Sequence, residues 1–149
     1  MNHLRGCRGF LATCLLLATL LAAFPASATS VDLGLGADYW RPGDTAEFNL
    51  TFTARTHMTE HFSVGGRFGA LVTTGVTVVG APIDLQLRAT FARMYVDGLV
   101  GPWILFQHDP LHTHAAFGFG LHSESISVGV ELGWLSPGAI LGLRLGIQL

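Results

Sequence analysis

The chain has 149 residues, of which half are hydrophobic and only 12% are charged. Its eight cationic residues are all arginines and are outnumbered by ten acidic residues, so no basic patch indicates nucleic acid as a partner. Both cysteines lie within the first 14 residues, which excludes a disulfide framework or a cysteine-ligated metal in the rest of the chain.

Residues 1–28 have the pattern of a secretory signal peptide. Two arginines make a basic start, residues 9–24 are apolar, and a site of the small-x-small type ends at Ala28. The apolar run is shorter than the roughly 20 residues that a membrane-spanning helix needs. We therefore predict cleavage between Ala28 and Thr29, which leaves residues 29–149 as one domain.

The rest of the sequence alternates large apolar residues with glycine, hydroxyl-bearing and charged residues. This period of two is typical of strands with one apolar face. In the last segment, for example, leucine and isoleucine occupy every second position from Leu141 to Leu149. The predicted strands are residues 31–39, 45–55, 62–73, 83–91, 99–106, 114–122, 126–134 and 141–149.

Short hairpins keep this alternation in phase, because residues paired across a two-residue turn point to the same face. The predicted turns are Pro42-Gly43, Asp97-Gly98, Ser123-Glu124 and Pro137-Gly138. They would pair Tyr39 with Ala46, Tyr95 with Val100, Leu121 with Ile126, and Trp134 with Leu141. In the fifth strand, Pro102 predicts a bulge or break, and the phase puts Trp103 and Leu105 on the polar face as a plug.

We interpret the apolar face as the outside of a closed barrel that contacts lipid. The polar face is rich in glycine, which suits the side-chain-filled interior of a narrow eight-stranded barrel. Aromatic residues fall at strand ends, as in the girdles of membrane barrels. With both termini on the inner side of the membrane, the outer ends carry Tyr39, Phe106 and Trp134, and the inner ends carry Phe62 and Tyr95. A soluble barrel that carries an apolar ligand has the same periodicity and is an alternative.

With this pattern, the chain resembles the small eight-stranded outer-membrane β-barrel proteins of Gram-negative bacteria over residues 29–149. The terminal strand resembles the one that the family uses for assembly, although the family usually ends in an aromatic residue and this chain ends in Leu149. The resemblance implies an all-β, eight-stranded antiparallel up-and-down transmembrane β-barrel in the cell outer membrane. It also implies outer-membrane lipid as surroundings, and periplasmic chaperones and the barrel-assembly machinery as partners during biogenesis.

Five charged residues on the polar face are expected to form a lumenal ion-pair network, because a charge inside a barrel is costly unless it is paired. They are Glu47, Arg67, Arg88, Glu131 and Arg144. Eight strands leave little open lumen, so we interpret this network as a plug that fixes strand register rather than as a path for ions.

Histidines are concentrated in two connections of the predicted barrel. One group comprises His108, Asp109, His112 and His114, and the other comprises His57 and His61. Imidazole and carboxylate groups can bind zinc or copper, but a polar loop is the simpler interpretation. We expect neither a metal nor a cofactor.

The segment from His122 to Ser125 allows one specific enzymatic hypothesis. Some eight-stranded outer-membrane barrels are lipid A deacylases, in which a histidine activates a serine hydroxyl. Here Glu124 stands where their His-x-Ser spacing requires the serine, and the topology puts His122 at the inner end. We therefore expect a structural or surface role without catalysis or an open pore. The alternatives are a lipid-modifying enzyme and the soluble periplasmic carrier.

Overall fold

A computed structural model of the protein shows eight antiparallel strands that form one closed sheet. It describes residues 29–75, 77–107 and 109–149, so the predicted signal peptide, with Ala28 at its cleavage site, lies outside the described residues. The strands are β1 (Thr29–Trp40), β2 (Thr45–His57), β3 (Phe62–Thr73), β4 (Val79–Phe91), β5 (Met94–Leu105), β6 (Leu111–His122), β7 (Ile126–Leu135) and β8 (Gly138–Gln148). A 3-10 turn at Arg41–Gly43 links β1 to β2.

Each strand pairs with the next one in sequence, and β8 pairs with β1 to close the barrel. The predicted eight-stranded up-and-down barrel is therefore confirmed. Within the described residues, no helix is long and apolar enough to cross a membrane.

The two faces of the sheet are inverted relative to those of a soluble protein. Among the described residues, 32 large apolar side chains are at least 37% exposed, whereas eight hydrophobic residues are buried together with fifteen polar or charged ones. Strand β2 illustrates the cause, because successive side chains point to opposite sides of a strand. Phe48 and Leu50 face outward, while Glu47 and Asn49, which alternate with them, are buried inside the barrel.

The hairpin between β1 and β2 has the predicted pairing of Tyr39 with Ala46. Two other hairpins differ from the prediction. Leu121 pairs with Val128 across a three-residue connection, and Trp134 pairs with Ala139 across Ser136-Pro137. In both cases the partner differs by two positions, and a shift of two residues leaves every side chain on its predicted face.

The turn predicted at Asp97-Gly98 is wrong. The chain turns instead at Ala92 and Arg93, where Ala92 has φ of 53°, and β5 then runs without a turn through Asp97. Asp97 lies opposite Arg88 on β4, and its carboxylate points into the lumen, where it forms an ion pair with the Arg88 guanidinium. Tyr95 shares this face and is only 4% exposed, so its assignment to an aromatic girdle is also wrong.

Pro102 neither ends β5 nor introduces a bulge, contrary to the prediction, although the pairing with β4 is interrupted beside it, between the pairs Leu85–Val100 and Pro82–Trp103. The register with β4 is the same on either side of it, since Trp103 pairs with Pro82 and Val100 with Leu85. The proline itself is exposed on the outward face. The next inward side chains, Trp103 and Leu105, are each 1% exposed, which confirms that they lie inside the barrel.

Candidate functional site: the lumen of the barrel

One end of the lumen contains a packed group of apolar side chains, here named the apolar plug. It lies where β1, β3, β5 and β7 end and where the even-numbered strands begin. Its buried members are Leu71, Trp103, Leu105, Leu135 and Ile140, with Trp40 and Val78 packed against them. The indole Nε1 of Trp40 donates a hydrogen bond to the backbone oxygen of Leu135 (2.9 Å), which ties β1 to β7 across this end.

Below the apolar plug lies an ionic cluster of Arg67, Asp84, His114, Glu131 and Arg144. Arg67 donates to Asp84 through Nη2 and to Glu131 through Nη1, each at 2.7 Å. Arg144 Nη2 lies 2.9 Å from Glu131 Oε1, and His114 Nδ1 lies 2.7 Å from Asp84 Oδ1. These residues come from β3, β4, β6, β7 and β8, so the cluster braces five strands across the lumen.

The indole of Trp103 connects the apolar plug to this cluster. Its Nε1 lies 3.2 Å from both carboxylate oxygens of Asp84, and its ring centroid is 4.5 Å from that of His114. A buried indole needs a hydrogen-bond acceptor, and Asp84 supplies it. The apolar and ionic layers are therefore one packed unit.

The other end of the lumen is a polar vestibule with a volume of about 170 Å³. Two arginines at its wall are paired: Arg55 Nη2 lies 2.5 Å from Asp32 Oδ2, and Arg88 Nε lies 2.7 Å from Asp97 Oδ1. The Arg88 guanidinium also lies 4.1 Å from the ring centroid of Tyr95, in cation–π geometry. Histidines and serines make up much of the remaining lining: Ser30, His57, His61, Ser63, His122, Ser123, Ser125 and Ser127.

The predicted network of five charged residues is thus only partly assembled. Arg67, Glu131 and Arg144 meet in the ionic cluster, as expected. Arg88 belongs instead to the vestibule, and Glu47 is fully buried without a hydrogen bond or ion pair to any described residue. The prediction of a single network is therefore wrong for these two.

The sequence interpretation did not include Asp84 and His114 in the network, although both carry the signal that could have found them. Each lies at an inward position of the period-two pattern of its strand, and each is buried in the structure. Asp84 lies directly opposite Arg67 across β3 and β4, and the two side chains form an ion pair at 2.7 Å.

Four of the five residues assigned to aromatic girdles are exposed on the outward face. Tyr39, Phe106 and Trp134 lie at or just after strand ends beside the apolar plug, and Phe62 begins β3 at the vestibule end. The Tyr39 hydroxyl donates to Asp44 Oδ1 at 2.7 Å, so its polar tip points toward the turn and away from the middle of the strands. That these rings contact membrane interfaces stays a prediction.

The histidine group proposed as a metal site is divided between different parts of the described structure. His114 belongs to the ionic cluster, while His112 has Nδ1 at 2.6 Å from the backbone oxygen of Ser136 and Nε2 at 3.0 Å from that of Asp109. His108 is outside the described residues. No three histidine, cysteine, aspartate or glutamate residues within the described ranges form a group that could hold a metal ion.

The segment considered for catalysis lies at the rim of the vestibule. Ser123 Oγ donates to the backbone oxygen of Ile126 at 3.4 Å, and the buried Nε2 atom of His122 has no partner in the described part of the chain. A nucleophilic mechanism needs a hydrogen bond between base and nucleophile. Here none links His122 to Ser123 or to Ser125.

No protein-family model and no curated protein matches the chain. Among solved structures, it is similar to a de novo designed transmembrane β-barrel, with TM-score 0.64 and 10% identity over 80% of this chain and 95% of that one. It is also similar to the designed barrel TMB2.3, with TM-score 0.59 and 14% identity over 84% of this chain and 98% of that one. The outer membrane protein Ail of Yersinia pestis matches with TM-score 0.49 and 14% identity over 82% of this chain and 100% of that one. The likeness to the two designed proteins supports the fold alone: this chain is a closed eight-stranded antiparallel barrel.

Proposed function

We propose that this chain is an integral outer-membrane protein with lipid against its outward face, no open pore, and a structural or surface role without catalysis. This proposal rests on the exposure of large apolar side chains and the burial of polar and charged ones. Soluble monomers rarely expose a continuous apolar patch larger than a few hundred Å², whereas here large apolar side chains cover the outside of all eight strands. A closed barrel is also the one sheet architecture that leaves no unpaired backbone edge in lipid.

The interior argues against the alternative of a soluble carrier for an apolar ligand. Such a carrier needs an apolar cavity, but the middle of this lumen holds the ionic cluster and a cavity of only about 50 Å³. That space suffices for a few water molecules. An apolar ligand would have to displace buried ion pairs without replacing their hydrogen bonds.

The same packing supports a lumen without an open pore. The apolar plug fills one end, and below it the carboxylate and guanidinium groups contact one another across the barrel axis. Continuous passage for an ion would require both layers to separate. We therefore propose that the lumen maintains strand register rather than conducting solutes.

The connections between strands contain only two to five residues. Large adhesive surfaces normally need longer excursions above the membrane, so the short connections favour a structural or small surface-exposed component. The partners we propose are outer-membrane lipid and, during biogenesis, periplasmic chaperones and the barrel-assembly machinery. The proposal of these biogenesis partners rests on the barrel fold alone.

Extraction and gel mobility test this proposal. The full chain, expressed in a Gram-negative host, should stay in the membrane pellet after alkaline carbonate washing and should enter solution only with detergent. A folded barrel should also migrate differently on a gel before and after boiling. If residues 29–149 stay monomeric and folded in buffer without any amphiphile, the proposal is wrong. Planar-bilayer recordings that show stable conductance steps would contradict only the closed lumen.

A further inference from the structure

The lumen holds more carboxylates than its arginines pair with. Four arginine side chains point inward, and each lies within 2.7 Å of a carboxylate oxygen. The inward carboxylates are six: Asp32, Asp38, Glu47, Asp84, Asp97 and Glu131. All of them except Glu47 form an ion pair within the described residues.

Glu47 is also the most completely buried of these groups, with 0% of its surface exposed. Neither of its carboxylate oxygens has a hydrogen-bond partner among the residues that the structure describes. Of its two neighbours directly across the sheet, one is another acid, Asp38 of β1, and the other is Thr73 of β3. Asp38 is already engaged, because it lies 2.7 Å from Arg144 Nη1 and accepts a hydrogen bond from Asn49 Nδ2 at 2.5 Å.

The basic side chains whose charge would bear on Glu47 are all directed to other acceptors. They are His112 and His114 of β6 and Arg144 of β8. Arg144 pairs with Asp38 and Glu131, His114 lies between Asp84 and Glu131, and His112 contacts backbone oxygens. None of them forms an ion pair with Glu47, so an ionised Glu47 would be a buried charge beside a like charge.

A buried carboxylate in this situation must be neutralised, because an unpaired charge in a low dielectric is far more costly than a neutral carboxyl group. A metal cation is the less suitable neutraliser. The described residues contain no metal-binding group of three acidic, histidine or cysteine side chains, and the Asp38 oxygens already have partners. A proton needs no further ligands.

We propose that Glu47 is a buried proton-binding site, whose carboxyl group is protonated in the folded barrel at neutral pH. In the unfolded chain a glutamate is ionised above a pH of about 4.3. Folding therefore takes up one proton at Glu47, and unfolding releases it. By linkage, this residue alone lowers the folding equilibrium constant by up to about tenfold for each pH unit above that value, until Glu47 ionises in the folded barrel.

Infrared spectroscopy of the folded full chain in detergent micelles tests the protonation directly. At pH 7 the wild-type spectrum should contain the carbonyl band of a protonated carboxylic acid, separate from the carboxylate bands, and Glu47→Gln should remove it. The matched control is Glu124→Gln, which changes an exposed carboxylate in the connection after β6 and should leave the band in place. A wild-type spectrum without the band, or a band that survives Glu47→Gln, would overturn the proposal.

Urea unfolding between pH 5 and 9 gives an independent readout. The folding equilibrium constant of Glu47→Gln, relative to wild type, should rise with pH, while that of Glu124→Gln should not change. Because all the other lumenal side chains are present in every variant, this difference isolates the contribution of Glu47. A variant that loses stability relative to wild type as pH rises would show that the ionised side chain is the stabilising one.

A wild-type stability that falls when sodium is replaced by tetramethylammonium at constant pH would show a bound cation in place of the proton. Either result overturns the proposal, and the infrared test stands on the wild-type chain even if Glu47→Gln does not fold.

Discussion

Replacing Leu143 with arginine distinguishes a sheet that faces lipid from one that faces water. Leu143 is 63% exposed and lies midway along β8, five residues from either end of the strand. At about 3.3 Å per residue, each end is about 17 Å away along the strand. With a tilt of about 40° this corresponds to about 13 Å of depth, which is half of the roughly 25 Å apolar band of a membrane barrel. The residue therefore lies at the predicted midplane.

An arginine at this depth should destabilise the folded barrel in a bilayer by about 2–4 kcal/mol. That corresponds to a decrease of about thirtyfold to one-thousandfold in the folding equilibrium constant. In water, the same exposed position should tolerate arginine within about 0.5 kcal/mol. Met58→Arg is the matched control, because Met58 is 57% exposed but lies in the connection between β2 and β3. Near the interface its cost should be about 0–1 kcal/mol.

The assay is urea-dependent folding into phospholipid vesicles, followed by tryptophan fluorescence and by gel mobility without boiling. We expect the midpoint for Leu143→Arg to fall well below those of the wild type and Met58→Arg. If all three chains fold with the same midpoint, the outward face does not lie in hydrocarbon. The proposed location would then be wrong, whatever the fold.

Three further changes test the lumen by urea unfolding in micelles. Arg67→Leu should cost about 3–5 kcal/mol of folding stability, because it leaves two buried carboxylates without their shared partner. The control, Arg41→Leu in the exposed turn, should change stability by less than about 0.5 kcal/mol. Equal effects of the two changes would mean that the ionic cluster does not stabilise the barrel. Trp103→Ala should cost about 3–5 kcal/mol by leaving a cavity between the plug and the cluster, and a loss below about 1 kcal/mol would refute tight packing there. Gly142→Ala should cost about 1–3 kcal/mol of folding stability, because a Cβ there would collide with a lumenal carboxylate and guanidinium. The control is Gly98→Ala, whose added methyl group points into open space and should be neutral or stabilising by up to about 1 kcal/mol. If Gly98→Ala is the more destabilising of the two, the inward and outward faces of the sheet are assigned the wrong way round.

The strand pattern could be predicted because the side-chain period of a strand does not depend on its neighbours. Inward and outward positions of β2 and β8 are recognisable from local alternation, and a pairing error of two residues, as at Trp134, leaves the faces unchanged. The hairpin at Asp97-Gly98 failed for a different reason. Its dipeptide favours a turn locally, but the aspartate instead pairs with Arg88 across the sheet, and the chain continues straight.

The partners of the lumenal charges could not be predicted from the same pattern. Period two shows that Arg67, Arg88 and Glu131 share a face, but the level of each along the axis depends on the register of all the strands together. Arg67 and Glu131 are 64 positions apart and meet at 2.7 Å, whereas Arg88 lies at a different level and has its own partner. Burial of Glu47 without a partner likewise becomes visible only when every neighbouring side chain is placed.

The seam between β1 and β8 joins the first and the last strand of the barrel, with Asp32 opposite Gln148. Without β8 the other free edge belongs to β7, which runs in the same direction as β1 and therefore cannot close the sheet with the antiparallel pairing seen here. A nascent chain that stops before Gly138 would therefore have two sheet edges with unpaired backbone N–H and C=O groups, one on β1 and one on β7. Closure of the sheet therefore requires the final eleven-residue strand, and we expect premature termination to give an aggregation-prone open sheet rather than a smaller barrel.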